Sequence, residues 1–133
     1  MKEITKINHV GIRVANLERS RGFYDKLGFK FLMGPVGPEP VAIMEHPSGV
    51  NINFILNADS QSSTNMLMDV PQKYPGYTHM ALEVTDIQLV TMQLSNMAIE
   101  LSGGPTTIPD GSVFVFIRDP DGNVIEFHQP AEK

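Results

Sequence analysis

Apolar and polar positions alternate with a period of two through "INHVGIRV", residues 7–14, with Val10, Ile12 and Val14 on one side and His9, Gly11 and Arg13 on the other. That is the mark of a strand half buried in a sheet. The period then changes. In "LERSRGFYDKL" the apolar Leu17, Phe23, Tyr24 and Leu27 recur at helical spacing, with Asn16 placed to cap the first turn and Gly28 to end the last. Three strand patterns follow, "FKFLM", "VAIMEH" and "VNINFIL", divided by the turn residues of "GPVGPEP" and "PSG". The predicted unit is βαβββ.

The unit then recurs. "HVGIRVANL" at 9–17 matches "HMALEVTDI" at 79–87, an offset of 79 − 9 = 70, and "HPSGVNINF" at 46–54 matches "DPDGNVIEF" at 119–127, an offset of 126 − 53 = 73. The second copy reads as "YTHMALEV", a helix from Ile87 to Met97 opened by Thr85 with Gln88 three residues on, then "IELS", "VFVFIRD" and "NVIEFHQ". Two βαβββ modules in 133 residues predict one α+β domain: module 1 over about 5–57, an inter-module loop over about 58–76, and module 2 over about 77–129. The loop, "NADSQSSTNMLMDVPQKYPG" with its flanks, has no clear period, and stretches of that length are functional covers or plain linkers.

Parity assigns the faces. Ile52, Phe54 and Leu56 oppose Asn51, Asn53 and Ile55; Met80, Leu82 and Val84 oppose His79, Ala81 and Glu83; Ile125 and Phe127 oppose Glu126 and His128. The apolar faces belong under the helices, so the polar residues gather on the faces that the helices leave open. His9, His79 and Glu126 are the donor types of a divalent-metal site, and two imidazoles with one carboxylate suit Fe(II), Mn, Ni, Co or Zn. The two histidines hold repeat-related positions, which singles them out from ordinary surface histidines. Arg13 and Glu83 also match across the repeat and read first as a structural ion pair; His128 is a candidate for the pocket, and His46, in a turn before proline, has no assigned role.

Composition and charge exclude several classes of partner. A net charge of −5 and a pI near 5.2 leave no basic footprint for nucleic acid or an anionic membrane. No apolar run approaches the roughly 18 residues of a membrane span, and the N-terminus enters a strand pattern directly, which predicts a cytoplasmic chain. Without cysteine there are no disulfides, thiolate ligands or cysteine nucleophile.

In these segments the chain resembles the vicinal oxygen chelate superfamily, which includes glyoxalase I, methylmalonyl-CoA epimerase, fosfomycin-resistance proteins, bleomycin-binding proteins and extradiol dioxygenases. "HVGIRVANLERSRGFYDKLGF" resembles the opening of glyoxalase I and "DPDGNVIEF" the closing segment of many members. The resemblance implies that paired βαβββ modules form a curved mixed-sheet cup around one divalent ion. The ligand positions carried over are His9, Asn53, His79 and Glu126. Glyoxalase I usually has glutamate where this chain has Asn53; an amide oxygen is a neutral, weaker donor without a proton equilibrium near pH 7, so Asn53 stands as a weak fourth ligand at most. Phe116 stands where extradiol dioxygenases carry a tyrosine, and Gly11 where fosfomycin-resistance proteins carry a threonine.

The expected function is therefore a metal-dependent, glyoxalase-like enzyme of lactoylglutathione lyase type. Glu126 would be its catalytic group, and its substrate would chelate the ion through neighbouring oxygens. Substrate contacts are expected from Asn53, Arg13, Tyr77, Phe114, Phe116 and His128, with Tyr74 as a further candidate wall. The alternatives are a non-catalytic small-molecule (antibiotic) binding protein and an Fe(II) dioxygenase-like enzyme. Open sheet edges and the apolar "MLMDV" segment suggest a homodimer.

Overall fold

The computed structural model describes residues 1–59 and 64–132. The chain divides into two compact units, Met1–Ser63 and Thr64–Lys133. In the first, β1 (Val10–Arg13), α1 (Leu17–Lys26), β2 (Lys30–Val36), β3 (Val41–Glu45) and β4 (Asn51–Ile55) follow the expected order. In the second, β5 (His79–Glu83), α2 (Ile87–Asn96), β6 (Gly103–Thr107), β7 (Val113–Arg118) and β8 (Val124–Gln129) repeat it. Each unit holds one four-stranded mixed sheet, ordered β1-β4-β3-β2 and β5-β8-β7-β6, in which the first strand of the unit runs parallel to the last. This is the α+β, twice-βαβββ fold that the repeat predicts. Residues 60–63 of the inter-module loop lie outside the described residues.

The helices cover the faces that parity assigned to them. Tyr24 of α1 is fully buried, with ring centroids 5.2 Å from Phe54 and 5.8 Å from Phe29. Ala42, Met44 and Ile52 are buried beside them. In the second unit Ile87 and Leu94 of α2 are buried, as are Val115, Ile117, Ile125 and Phe127. Aliphatic and aromatic side chains of this size each stabilise the fold by about 1.5–3 kcal/mol when taken fully out of water, so the two cores set which face of each sheet is left for chemistry. Among the described residues, no helix is long and apolar enough to cross a membrane.

Two boundaries differ from expectation. The cap of α2 is Asp86, whose side chain accepts from the Leu89 backbone N–H at 3.0 Å, not Thr85; Asp86 is the repeat counterpart of Asn16, which accepts from Arg19 in α1. The Gln129 side-chain oxygen takes another free donor of that terminus, the Ile87 N–H, at 2.7 Å. The second strand of module 2 is Gly103–Thr107 rather than 99–102. Its "GGPTT" has no apolar alternation to read, and at Gly104 the backbone lies too close to β7 for a side chain: a Cβ there, at φ +80, would fall 2.6 Å from the Phe114 carbonyl oxygen. Gly34 in β2 is in the same situation against Val41. Since Gly104 and Gly34 differ by 104 − 34 = 70 while the β-pairs Phe116↔Glu126 and Ile43↔Asn53 differ by 116 − 43 = 73, the three extra residues of module 2 sit between Gly104 and Phe116.

The later part of the inter-module loop is tied to the second sheet. Asp69 receives both nitrogens of the Arg118 guanidinium at 2.9 Å, and Asn65 donates to the Gly122 carbonyl. The hydrogen bond from Arg118 holds the Asp69 carboxyl below its ordinary value and raises Arg118 in turn. A carboxyl depressed in the folded state contributes stability that is complete above its unfolded value and lost as pH falls through the folded one.

Two outcomes test these contacts. Asp86→Ala should cost about 1 kcal/mol in chemical denaturation and Thr85→Ala less than about 0.5; equal costs would return the cap to Thr85. The stability gap between wild type and Asp69→Asn should be present at neutral pH and narrow as pH drops below the ordinary value of 3.8. A gap indifferent to pH would mean that the Arg118 pair does not act through charge.

Candidate metal centre

Strand β8 runs between β5 and β7, and register sets Glu126 opposite Ala81 on one side and Phe116 on the other. The even-numbered residues of β8 therefore share the open face with Phe114 and Phe116 of β7, as parity requires. On that face Glu126 Oε1 lies 3.2 Å from His79 Nε2, and Oε2 lies 2.8 Å from His128 Nδ1. Only 12% of the Glu126 side chain is exposed, against 33% for His79 and 30% for His128. A carboxylate this far out of water is stable because it is partnered on both oxygens.

Aromatic rings frame the trio. The His79 ring stands edge-on to Phe116 at 5.5 Å, Phe116 stands edge-on to Phe114 at 5.5 Å, and Phe114 stacks on His128 at 6.1 Å with 6° between the planes. The arrangement fixes ring orientations as well as positions, which the short strands alone would not do.

The first unit presents a different set. His9 sits just before β1, its Nδ1 2.9 Å from Asn8 Oδ1. Asn53 faces Gly11 and Ile43 across the ladder, just as Glu126 faces Ala81 and Phe116, so the equivalence of positions 53 and 126 is structural as well as sequential. The counterpart of His128, at 128 − 73 = 55, is Ile55. Arg13 donates to Asn57 Oδ1 at 3.0 Å and lies 3.9 Å from Glu39, which accepts from Asn57 as well; this is an exposed polar chain of the kind that adds little stability. Tyr77 is 98% exposed and Tyr74 half exposed.

Both histidines are held on Nδ1 by the residue that precedes them. His79 Nδ1 lies 2.9 Å from Thr78 Oγ1, and His9 Nδ1 the same distance from Asn8 Oδ1. A hydrogen bond on Nδ1 orients the ring and, with the proton on Nδ1, leaves Nε2 free to ligate, which is how metal-binding imidazoles are usually held. The signal was legible as a polar residue immediately before each repeated histidine.

The chain belongs to the Glyoxalase/Bleomycin resistance protein/Dioxygenase superfamily, whose profile matches residues 6–127. It is 31% identical to a lactoylglutathione lyase of Haemophilus influenzae over 92% of this chain and 90% of that one. It is 28% identical to the mitochondrial methylmalonyl-CoA epimerase of Bos taurus, over 93% and 74%. Among solved structures it resembles a glyoxalase family protein from Enterococcus faecalis with a TM-score of 0.74 and 26% identity, covering 92% and 96% of the two chains. An antibiotic binding protein from a Streptomyces species shares the fold at 20% identity and a TM-score of 0.73, over 97% and 98%.

Part of the expected donor set fits a divalent ion. Imidazole nitrogen and carboxylate oxygen at the usual ~2.0–2.2 Å from one ion stand about 2.9–3.5 Å apart for angles between square and tetrahedral, and His79 Nε2 and Glu126 Oε1 are 3.2 Å apart. His128 approaches the other oxygen and does not converge on the same point. Among the described residues, no group of three or more His, Cys, Asp and Glu side chains is arranged to hold a metal ion. The second unit thus assembles two of the expected donors, His79 and Glu126, and places His128 against the second of them; His9 belongs to the first unit.

Proposed function

We propose that the protein is a metal-dependent enzyme of glyoxalase-like type that moves a proton at a carbon next to a carbonyl, in a substrate offering two neighbouring oxygens. The observation that carries this is the His79–Glu126 contact at 3.2 Å on the open face of the second sheet, with the carboxylate largely withdrawn from water. The identity to a lactoylglutathione lyase over most of both chains supports the same reading. His79 and Glu126 would hold the ion, with His9 as third ligand on the strength of the repeat and the sequence resemblance. A bound divalent ion would supply a Lewis acid that polarises the substrate oxygens and lowers the cost of forming an enediolate.

The chain's own residues supply the rest. Glu126 is the carboxylate among the four repeat-related positions, so it takes the substrate proton and returns it. His128 holds Oε2 meanwhile, so Oε1 would serve as ligand and as base in turn. Phe114 and Phe116 form an apolar wall that excludes water from the carboxylate, and Asn53, Arg13 and Tyr77 are assigned substrate contacts. The protein is taken to act in the cytoplasm, with both modules forming one domain.

Protein purified without added metal should contain close to one divalent ion per chain. His79→Ala and Glu126→Ala should lose about tenfold or more in affinity for it, while Asn53→Ala should lose little, because deleting a carboxylate removes a full charge and deleting an amide removes a dipole that water replaces. Glu126→Gln should lower turnover of the methylglyoxal–glutathione hemithioacetal by about 10²–10⁴-fold. Unchanged metal content in His79→Ala would reject the site. Tight retention of an unaltered small molecule would favour the sequestering protein, and oxygen uptake with Fe(II) the dioxygenase.

The working form is proposed to be a homodimer, since Leu32, Met33 and Val36 of edge strand β2 and Met66 of the "MLMDV" segment are exposed. Sedimentation at tens of micromolar should give twice the chain mass; a monomer there would refute it.

A further inference from the structure

We propose that Arg118 is the residue of the second unit's open face that grips a substrate carboxylate, and that Asp69 of the inter-module loop occupies its guanidinium until substrate takes over. The ligand class is a carbonyl compound that carries a carboxylate away from its reacting carbon. The inference rests on that open face being the substrate face, as in the reading above, and involves no bound ion.

Arg118 closes β7 at the parity of Phe114 and Phe116, while Val115 and Ile117 between them are buried in the core. Register sets it in one row with Val124 of β8 and His79 of β5, so its backbone stands about 8 Å from that of Glu126, one strand across and two residues along. Among the described residues of this unit, the other Lys or Arg is Lys73, whose Nζ is turned into the loop and donates to the Met68 and Val70 carbonyls. Glu126 makes the middle of the face repel anions. A substrate carboxylate is therefore held away from it, at the strand position that carries a cation.

The loop fills this place now. Asp69 offers both oxygens to the two terminal nitrogens of Arg118 at 2.9 Å, the same fork that a substrate carboxylate would make with the guanidinium. Leu67 lies against Gly76, three residues before His79, so the loop meets the chain on both sides of Val124.

Exchange leaves the guanidinium where it is. Arg118 Nη1 also donates to the Gly122 carbonyl at 3.0 Å, a bond that does not involve the loop. The Arg118 and Asp69 side chains are 32% and 42% exposed, and an ion pair so open to water adds little stability, so parting it costs little. As a mere tie for the loop the pair would duplicate Asn65, which donates to the same Gly122 carbonyl and accepts from the Leu67 and Met68 N–H groups. In the first unit the equivalent position, 118 − 73 = 45, is Glu45, so the cation is confined to the copy that holds Glu126.

The test compares 4-oxopentanoate with 4-oxopentanamide, which keeps the ketone and the size but lacks the charge, by NMR titration of the protein in EDTA. Wild type should prefer the acid. Arg118→Gln should lower affinity for the acid about tenfold and leave the amide unchanged. Asp69→Asn, which removes the competing carboxylate, should raise affinity for the acid severalfold; a pair that only ties the loop down predicts no such gain. In wild type, saturation with the acid should speed hydrogen exchange at the backbone of residues 66–70, and the amide should not. An acid preference that survives Arg118→Gln would overturn the proposal, as would Asp69→Asn binding the acid no better than wild type, loop exchange that the acid leaves unchanged or slows, or a wild type that does not bind the acid. Should Arg118→Gln fail to fold, Asp69→Asn and the exchange measurement decide. Because neither turnover nor an ion enters, a protein without lyase chemistry can pass this test and an active one can fail it.

Discussion

A carboxylate removed from water costs several kcal/mol unless its charge is answered locally, and Glu126, 9% exposed in the middle of β8, imposes that constraint on everything around it. Its strand must carry a donor at the same parity, which is His128. The parallel neighbour must bring another imidazole within reach, which is His79 at the start of β5. The antiparallel neighbour must shield the group without competing for it, and the Phe114–Phe116 pair on β7 does so. Each demand is met by a residue whose face is fixed by the period-two geometry of a strand, and the opposite face of the same three strands is spent on the core beneath α2.

The two units show what happens when the constraint is lifted. The ladder partners of position 53 reproduce those of position 126, so the backbone offers the same place in both sheets. Asparagine there carries no charge, and a neutral amide is far cheaper to leave half buried than a carboxylate. Once the charge is gone, a histidine two residues on has no anion to serve, and an apolar Ile55 can stand in its place. Replacing both members of a hydrogen-bonded pair is close to neutral where replacing one leaves a buried group stranded. The fold therefore tolerates losing the pair in one module far more readily than losing half of it in either.

Most of the architecture was legible because it is written in periods. The βαβββ order, the Asn16 cap, Gly28 after α1, and the shared face of Glu126 and His128 all follow from spacing that the structure keeps. What escaped follows from contacts that no period encodes. Strand β6 has a glycine where β7's backbone comes close, so at Gly104 the partner strand decides the residue. The cap of α2 is one residue from the expected place because Asp86 competes with Thr85 for the same donors, and only the backbone geometry, extended at Asp86 with φ −147, decides it. Asn8 and Thr78 escaped because a side-chain bond between sequence neighbours leaves no trace in alternation.

The ring stack was half visible: Phe114, Phe116 and His128 stood out separately as candidate walls, but that Phe114 lies flat on His128 depends on ladder register. Register in a hairpin is set by the connection, and the connection between β6 and β7 is where the second module carries its three additional residues. Those residues sit in the β6–β7 hairpin and leave the β7–β8 pairing, 116 with 126 and 114 with 128, equivalent to 43 with 53 and 41 with 55 in the first module. Had the extra length fallen between β7 and β8, an odd shift would have turned every side chain of one strand to the other face and delivered Glu126 into the apolar layer under α2. The length difference between the modules is thus confined to the connection that does not align the carboxylate with its aromatic shield, which is why one scaffold can vary in length and still present the same site.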